Sequence, residues 1–161
     1  MRSLISESWF LSLDPTQQAL VELSIRLYER EVADNQILVD YSFVLFPMSK
    51  AYEGFLKKYL FDIQIINLQQ YESKRFRIGR ALNPDISDNH RDEHWLFDDV
   101  SRKCGDEVAR EIWQTWLECR NRVFHYFPDQ KTTLELAEVS ARMKQVIQAM
   151  RSAFACKINT D

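Results

Sequence analysis

Glycine and proline are scarce in this chain of 161 residues, with 3 of the first and 4 of the second. Tight turns rest largely on those two residue types, so little room is left for an all-β architecture. Cysteine is equally sparse: Cys104, Cys119 and Cys156 are odd in number, far apart and set within helical patterns. That usage fits a reducing cytoplasm and predicts neither a disulfide framework nor a zinc site. No run is long and apolar enough to cross a bilayer, so no membrane partner is expected. The opening MRSLISESWFLSL lacks a basic head followed by a long apolar stretch, which excludes a signal peptide. Positive charge is not in excess either. A formal net charge of −3 argues against a wholesale nucleic-acid binder and leaves room for a local basic patch only. There is no internal repeat, no low-complexity run and no Gly-rich phosphate loop, which disfavours a nucleotide-hydrolysing fold.

What remains is helical. With 45% hydrophobic and 28% charged residues, the chain reads as one all-α domain over residues 1–161, its ends 1–12 and 157–161 loosely attached. Asp14 and Pro15 are the N-cap and first position of a helix that ends around Ala33 to Asn35. Its apolar face includes Leu20, Leu23 and Leu27, with Val21, Ile25 and Tyr28 beside it. A second helix is expected from about Ile37 to Ile66, kinked or broken at Pro47, with Leu45, Met48, Tyr52, Phe55, Tyr59 and Ile63 as its stripe. Gly54 costs that helix about 1 kcal/mol relative to Ala, a cost that close approach of another helix would offset.

Residues 67–93 are the least regular stretch. Within it KRFRIGR places Lys74, Arg75, Arg77 and Arg80 around Phe76, either to hold a phosphate backbone and stack a base or as a solvated loop. The alternation of His90, Asp92 and His94 is read as accidental, because no further ligand set stands nearby. A short helix from about Glu93 to Lys103 turns Trp95, Leu96 and Val100 inward, and Gly105 caps it. At the other end of the chain, Thr132 with Glu135 reads as a capping box. The helix it opens packs through Leu136, Val139, Met143, Ile147, Met150 and Phe154.

The richest segment is 106–128, DEVAREIWQTWLECRNRVFHYFP. Val108, Ile112, Trp116, Cys119, Val123 and Tyr126 recur at helical spacing, and a second apolar line runs Trp113, Leu117, Phe124, Phe127. Acidic Asp106 and Glu107 suit the first turn, and Pro128 stops the helix, leaving His125 in its last turn. Arg120 falls in the aromatic line, where an unpaired charge is too costly, so it needs a partner or a surface. Asn121 and His125 are four apart and share a face, with Arg120 one residue off it. A histidine that titrates near neutrality and an arginine that stabilises added negative charge are the parts of a metal-free ribonuclease. The same residues also fit a capped helix end with Arg120 in a structural ion pair.

Arg120-Asn121-Arg122-Val123-Phe124-His125 resembles the Arg-Asn-x-x-x-His motif of the HEPN superfamily. The upstream stretch DYSFVLFPMSKAYEGFLKKYL, residues 40–60, is similar to the Phe-Pro and Glu-Gly helix of RnlA-type HEPN toxins. Together the likeness covers most of the chain from about residue 36 onward. It implies a bundle of about four to six helices, with no cofactor and no metal. It also implies a homodimer whose motifs share one cleft, RNA as substrate and an antitoxin protein as a further partner. Within it, His125 would be the general acid/base, Arg120 the phosphate-binding group and Asn121 an orienting group. Glu53 has two readings: a surface pair with Lys57, or a carboxylate that orients Arg120. The function expected is a metal-independent endoribonuclease of a bacterial toxin–antitoxin or phage-defence system, in the cytoplasm. Some members of the superfamily are inactive, so a non-catalytic adaptor that binds protein or nucleotide is the alternative.

Overall fold

A computed structural model describes residues 2–34, 36–126, 128 and 133–160. These residues are all-α, and no strand occurs among them. After a 3-10 turn at Arg2–Ser6 come α1 (Ser8–Leu11), α2 (Pro15–Ala33) and α3 (Ser42–Asp62), then the short α4 (Leu68–Glu72) and α5 (Ile78–Ala81). The second half holds α6 (Phe97–Cys104), α7 (Asp106–Trp116), a π-helical segment at Leu117–Asn121, α8 (Arg122–Phe124) and α9 (Leu136–Thr160). No helix among the described residues is long and apolar enough to cross a membrane.

The bundle is built around α3, which packs against α2 on one side and against α9 and the α7–π rod on the other. Every residue of its expected stripe is buried, from Leu45 to Ile63. Helix α2 begins where Asp14 and Pro15 place it: the Asp14 carboxylate accepts from the Thr16 and Gln17 N–H groups, and Gln17 returns the bond to Asp14. Its buried line, however, is Val21, Ser24 and Ile25, whereas Leu23 is exposed. The helix is rotated from the all-leucine face because Ser24 Oγ meets α3 beside Pro47, accepting the Met48 N–H at 2.9 Å. Proline lacks an N–H and its ring disturbs the preceding turn. The neighbouring helix supplies an acceptor at that point. Gly54 has a similar purpose, since a Cβ there would lie 2.9 Å from Gln17 Nε2 of α2.

Four expectations are corrected. Helix α3 starts at Ser42, and Ile37 and Val39 before it are exposed. Asp40 sets that boundary by accepting from the Ser42 N–H and hydroxyl and from the Leu134 N–H just before α9. Burial would raise the Asp40 carboxyl, but these bonds outweigh it and hold the pKa below the usual carboxylate value. The N-terminal residues are attached: Trp9 and Phe10 are buried, and Glu7 forms a two-pronged ion pair with Arg151 of α9. At the other end, α9 continues to Thr160 and Lys157 reaches Asp62 at 2.6 Å. Finally, Cys104 and Cys156 form a disulfide, with Cα atoms 5.6 Å apart although 52 residues separate them in sequence. Odd number, separation along the chain and helical setting do not prevent the pairing, because α6 packs on α9. Cys119 is the free, buried thiol, and burial pushes its pKa up to about 12. The Thr132 half of the expected capping box lies outside the described residues, as does Phe127.

Candidate functional site

The rod that carries Arg120 starts from Gly105, whose φ of 88° lets one residue close α6 and open α7. Its Asp106–Trp116 section is ordinary α-helix. At Leu117–Asn121 the winding widens, and the Arg122 N–H reaches back to Leu117 O, a π spacing. Side chains from both neighbours hold the widened turn. From α3, Ser49 Oγ donates to Cys119 O at 2.6 Å, and one turn on Tyr52 donates to Ile112 O at 2.9 Å. From α9, Arg142 pairs with Glu118 at 3.0 Å, while the Cys119 thiol donates to Gln145 Oε1.

Arg120 lies within this widened turn and Asn121 at its end. In an uninterrupted α-helix Asn121 would share a face with His125. The residues between them, Arg122–Phe124, are α-helical, but His125 itself has left the helix, with φ −118° and ψ 138°. Arg120 is the residue that reaches it: Nη1 lies 3.4 Å from His125 Nε2. A guanidinium can only donate, so Arg120 is the donor in this contact. Asn121 lines the same cleft but makes no side-chain hydrogen bond to either residue.

Arg120 is held on three sides. Its Nε donates to Glu53 Oε2 at 3.2 Å, Nη1 meets His125, and its Cζ stands 5.7 Å from the centre of the Trp116 ring. Of the two partners open to Glu53, the one it takes is therefore Arg120, and Lys57 donates instead to Ser73 O. Arg120 remains partly exposed, at 31% of its side-chain surface, and Nη2 has no hydrogen-bond partner among the described residues. Trp116 stacks in turn on Trp113, with ring centres 5.7 Å apart.

Helix α5 seats on that indole pair. A Cβ at Gly79 would fall 2.1 Å from the Trp116 ring, so only glycine permits the approach. KRFRIGR is brought to the site by this contact. A cleft of about 440 Å³ is lined by Glu53, Arg120, Asn121 and His125 on one wall and by Phe76, Arg77, Gly79 and Arg80 on the other. Arg77 makes no ion pair among the described residues, and Arg80 pairs with Asp92. Arg75 lines a smaller cavity of about 160 Å³ beyond, together with Arg77, Arg80 and His94. Lys74 is exposed and lines neither cavity. On the opposite flank of the Arg120–His125 pair lies another cavity, of about 330 Å³, lined by Phe46, Ser49, Lys50 and Phe124 with the same Glu53, Arg120 and His125.

The side chains of His90 and His94 face Ser87 and Glu93, while the Asp92 carboxylate takes Arg80 and the His94 N–H. Among the described residues no group of three or more His, Cys, Asp or Glu side chains is placed to hold a metal ion. The Asp92 carboxyl is held below its usual value, first by the His94 N–H and then, against some burial, by Arg80. Trp116, Gly79 and Phe46 are the site residues that sequence reasoning missed. A glycine within a basic run was the visible sign of one of them.

No family model, no curated protein and no solved structure matches the chain.

Proposed function

We propose that this chain is an endoribonuclease of the HEPN kind that cuts RNA through the substrate's own 2′-hydroxyl. The observation that carries the reading is the Arg120–His125 contact at the edge of an open cleft lined by Arg77 and Arg80. An arginine already fixed by Glu53 and Trp116 needs no reorganisation when charge develops on a phosphate beside it. Its uncommitted Nη2 donates to a non-bridging oxygen. The 2′-hydroxyl displaces Arg120 Nη1 from His125 Nε2, and that nitrogen takes the hydroxyl proton as the 2′-oxygen bonds to phosphorus. The bond from phosphorus to the 5′-oxygen breaks, and that oxygen takes up a proton from water. The products are a 2′,3′-cyclic phosphate and a 5′-hydroxyl. Arg75, Arg77 and Arg80 hold neighbouring phosphates, a local basic patch in a chain of net charge −3.

The resemblance further supports a homodimer with both motifs at one cleft and a toxin role with an antitoxin partner; the cysteine usage no longer points to a reducing cytoplasm, because Cys104 and Cys156 are bonded. The test is cleavage by the purified chain in EDTA with mapped ends. Cyclic phosphate and 5′-hydroxyl ends, lost in His125→Ala and absent on 2′-O-methylated RNA or DNA, are expected. Ends with 3′-hydroxyl and 5′-phosphate would replace this mechanism with hydrolysis. No cleavage of any RNA would favour the non-catalytic adaptor, and a purely monomeric mass in light scattering would remove the shared cleft.

A further inference from the structure

Two cavities, not one, meet at the Arg120–His125 pair. The basic cleft and the Phe46–Phe124 cavity share Glu53, Arg120 and His125 as lining, so these residues form a ridge between them. The two sides differ in chemistry. One carries Arg77 and Arg80; the other is walled by Phe46 and Phe124, edge to face with centres 5.2 Å apart, and has Lys50 at its rim. Phe46 is 51% exposed, like Phe43 at 40%, whereas Tyr52, Phe55 and Tyr59 of the same helix are buried, so its ring contributes little to the core. The residues around it are nonetheless well fixed: Pro47 and Met48 are buried, and Ser49 is bonded to Cys119 O.

We infer that the Phe46–Phe124 cavity is a base-stacking slot that takes one unpaired nucleobase next to the scissile phosphate, with Lys50 on the adjoining phosphate. The inference rests on the ribonuclease reading and specifies its substrate as single-stranded. A base can enter between a ring face and the ridge only when it is splayed out of a helix. The basic cleft then tracks the strand on the other side of the cut by its phosphates, without reading bases. A rim cation beside an aromatic face is the pairing that single-strand binders use. The volume of about 330 Å³ suits one nucleoside and not a paired step.

The probe is a pool of short 2′-O-methylated single strands, randomised except for one central 2-aminopurine, which cannot be cleaved and whose fluorescence falls on stacking. The native chain is expected to quench it. Phe46→Ala should lose the quench and weaken binding by about 5- to 150-fold, the loss of one stacked base. Phe46→Trp should restore both, and helical content should stay unchanged because the ring is half exposed. Arg77→Ala with Arg80→Ala should flatten the salt dependence and leave the quench in place. Equal quenching by native and Phe46→Ala proteins overturns the slot while leaving the ribonuclease reading intact. So does a change of oligomeric mass in Phe46→Ala with quenching unaltered, which would mark the ring as a protein contact. A native chain that binds none of the strands and cleaves no RNA overturns both readings together.

Discussion

The two long sides of α3 are built on opposite terms. Toward α2 it presents Val44, Met48 and Ala51, each fully buried, and the Met48 N–H to Ser24 Oγ bond there is enclosed. Toward the π segment it presents Phe46, Ser49 and Glu53, of which only Ser49 is buried. The first side is closed by area removed from water. The second is organised by directed bonds to a neighbouring backbone and to a charged side chain, and it leaves cavities. Burial accumulates stability and tolerates loss of a single contact; a bonded ridge depends on each member for geometry. Substitutions on the two sides should therefore separate into changes of stability and changes of activity.

The sharpest separation is expected at the ridge. His125→Ala should lower cleavage by about 10²–10⁴-fold while the melting temperature stays put, since the imidazole is exposed. Arg120→Ala should lose about 10²–10³-fold in rate and some stability as well, because its guanidinium stands over Trp116 and pairs with Glu53. Single-turnover rates beside thermal melts would show the split, and equal losses in both would collapse the comparison. Next comes Gly79→Ala, which must move Trp116 or α5. Displacing the surface under Arg120 should cost up to about 10²-fold in rate, the size expected for a misplacement near 1 Å. Fluorescence of the Trp116–Trp113 pair should report the shift, and an unchanged spectrum with full activity would show that α5 is not seated there.

The effect on the other side runs in the opposite sense. Ser24→Ala removes the buried acceptor of the Met48 N–H and should cost about 1–3 kcal/mol in denaturant unfolding, with cleavage per folded molecule unaltered. Asn121→Ala is expected to be smallest, a rate loss under about tenfold, since the amide bonds neither Arg120 nor His125. A larger loss would mean that substrate recruits the amide.

Which of these sides could be read in advance follows from their physics. The α3 and α9 stripes and the start of α2 depend on local pattern: apolar residues at helical spacing, or Asp14 before Pro15. The Arg120, Asn121 and His125 cluster was visible as residue types at a spacing, but not as a geometry. Arg120 meets His125 from within a π turn held by Ser49, Arg142 and Gln145, far away in sequence, and across a point where His125 has left the helix. The start of α3 escaped because apolar Ile37, Leu38 and Val39 continue the hydrophobic pattern, whereas Asp40 ends it through a bond to Leu134. The seat of α5 on Trp116 is legible only as a glycine until the partner ring is known.

The Cys104–Cys156 bond makes the second half of the molecule a closed ring. Everything from α7 through the Arg120–His125 ridge to the last turns of α9 hangs inside it, a loop spanning 52 residues. A ring of that size restricts the unfolded chain by about 4 kcal/mol on the chain-entropy view, so the ridge would be harder to lose by global unfolding in an oxidising milieu than in a reducing one. Topologically, a single backbone cut anywhere between the two cysteines would leave both pieces tethered, running as one species until a reductant is added. The compartment's thiol poise thus sets how much of the molecule must come apart before the ridge does.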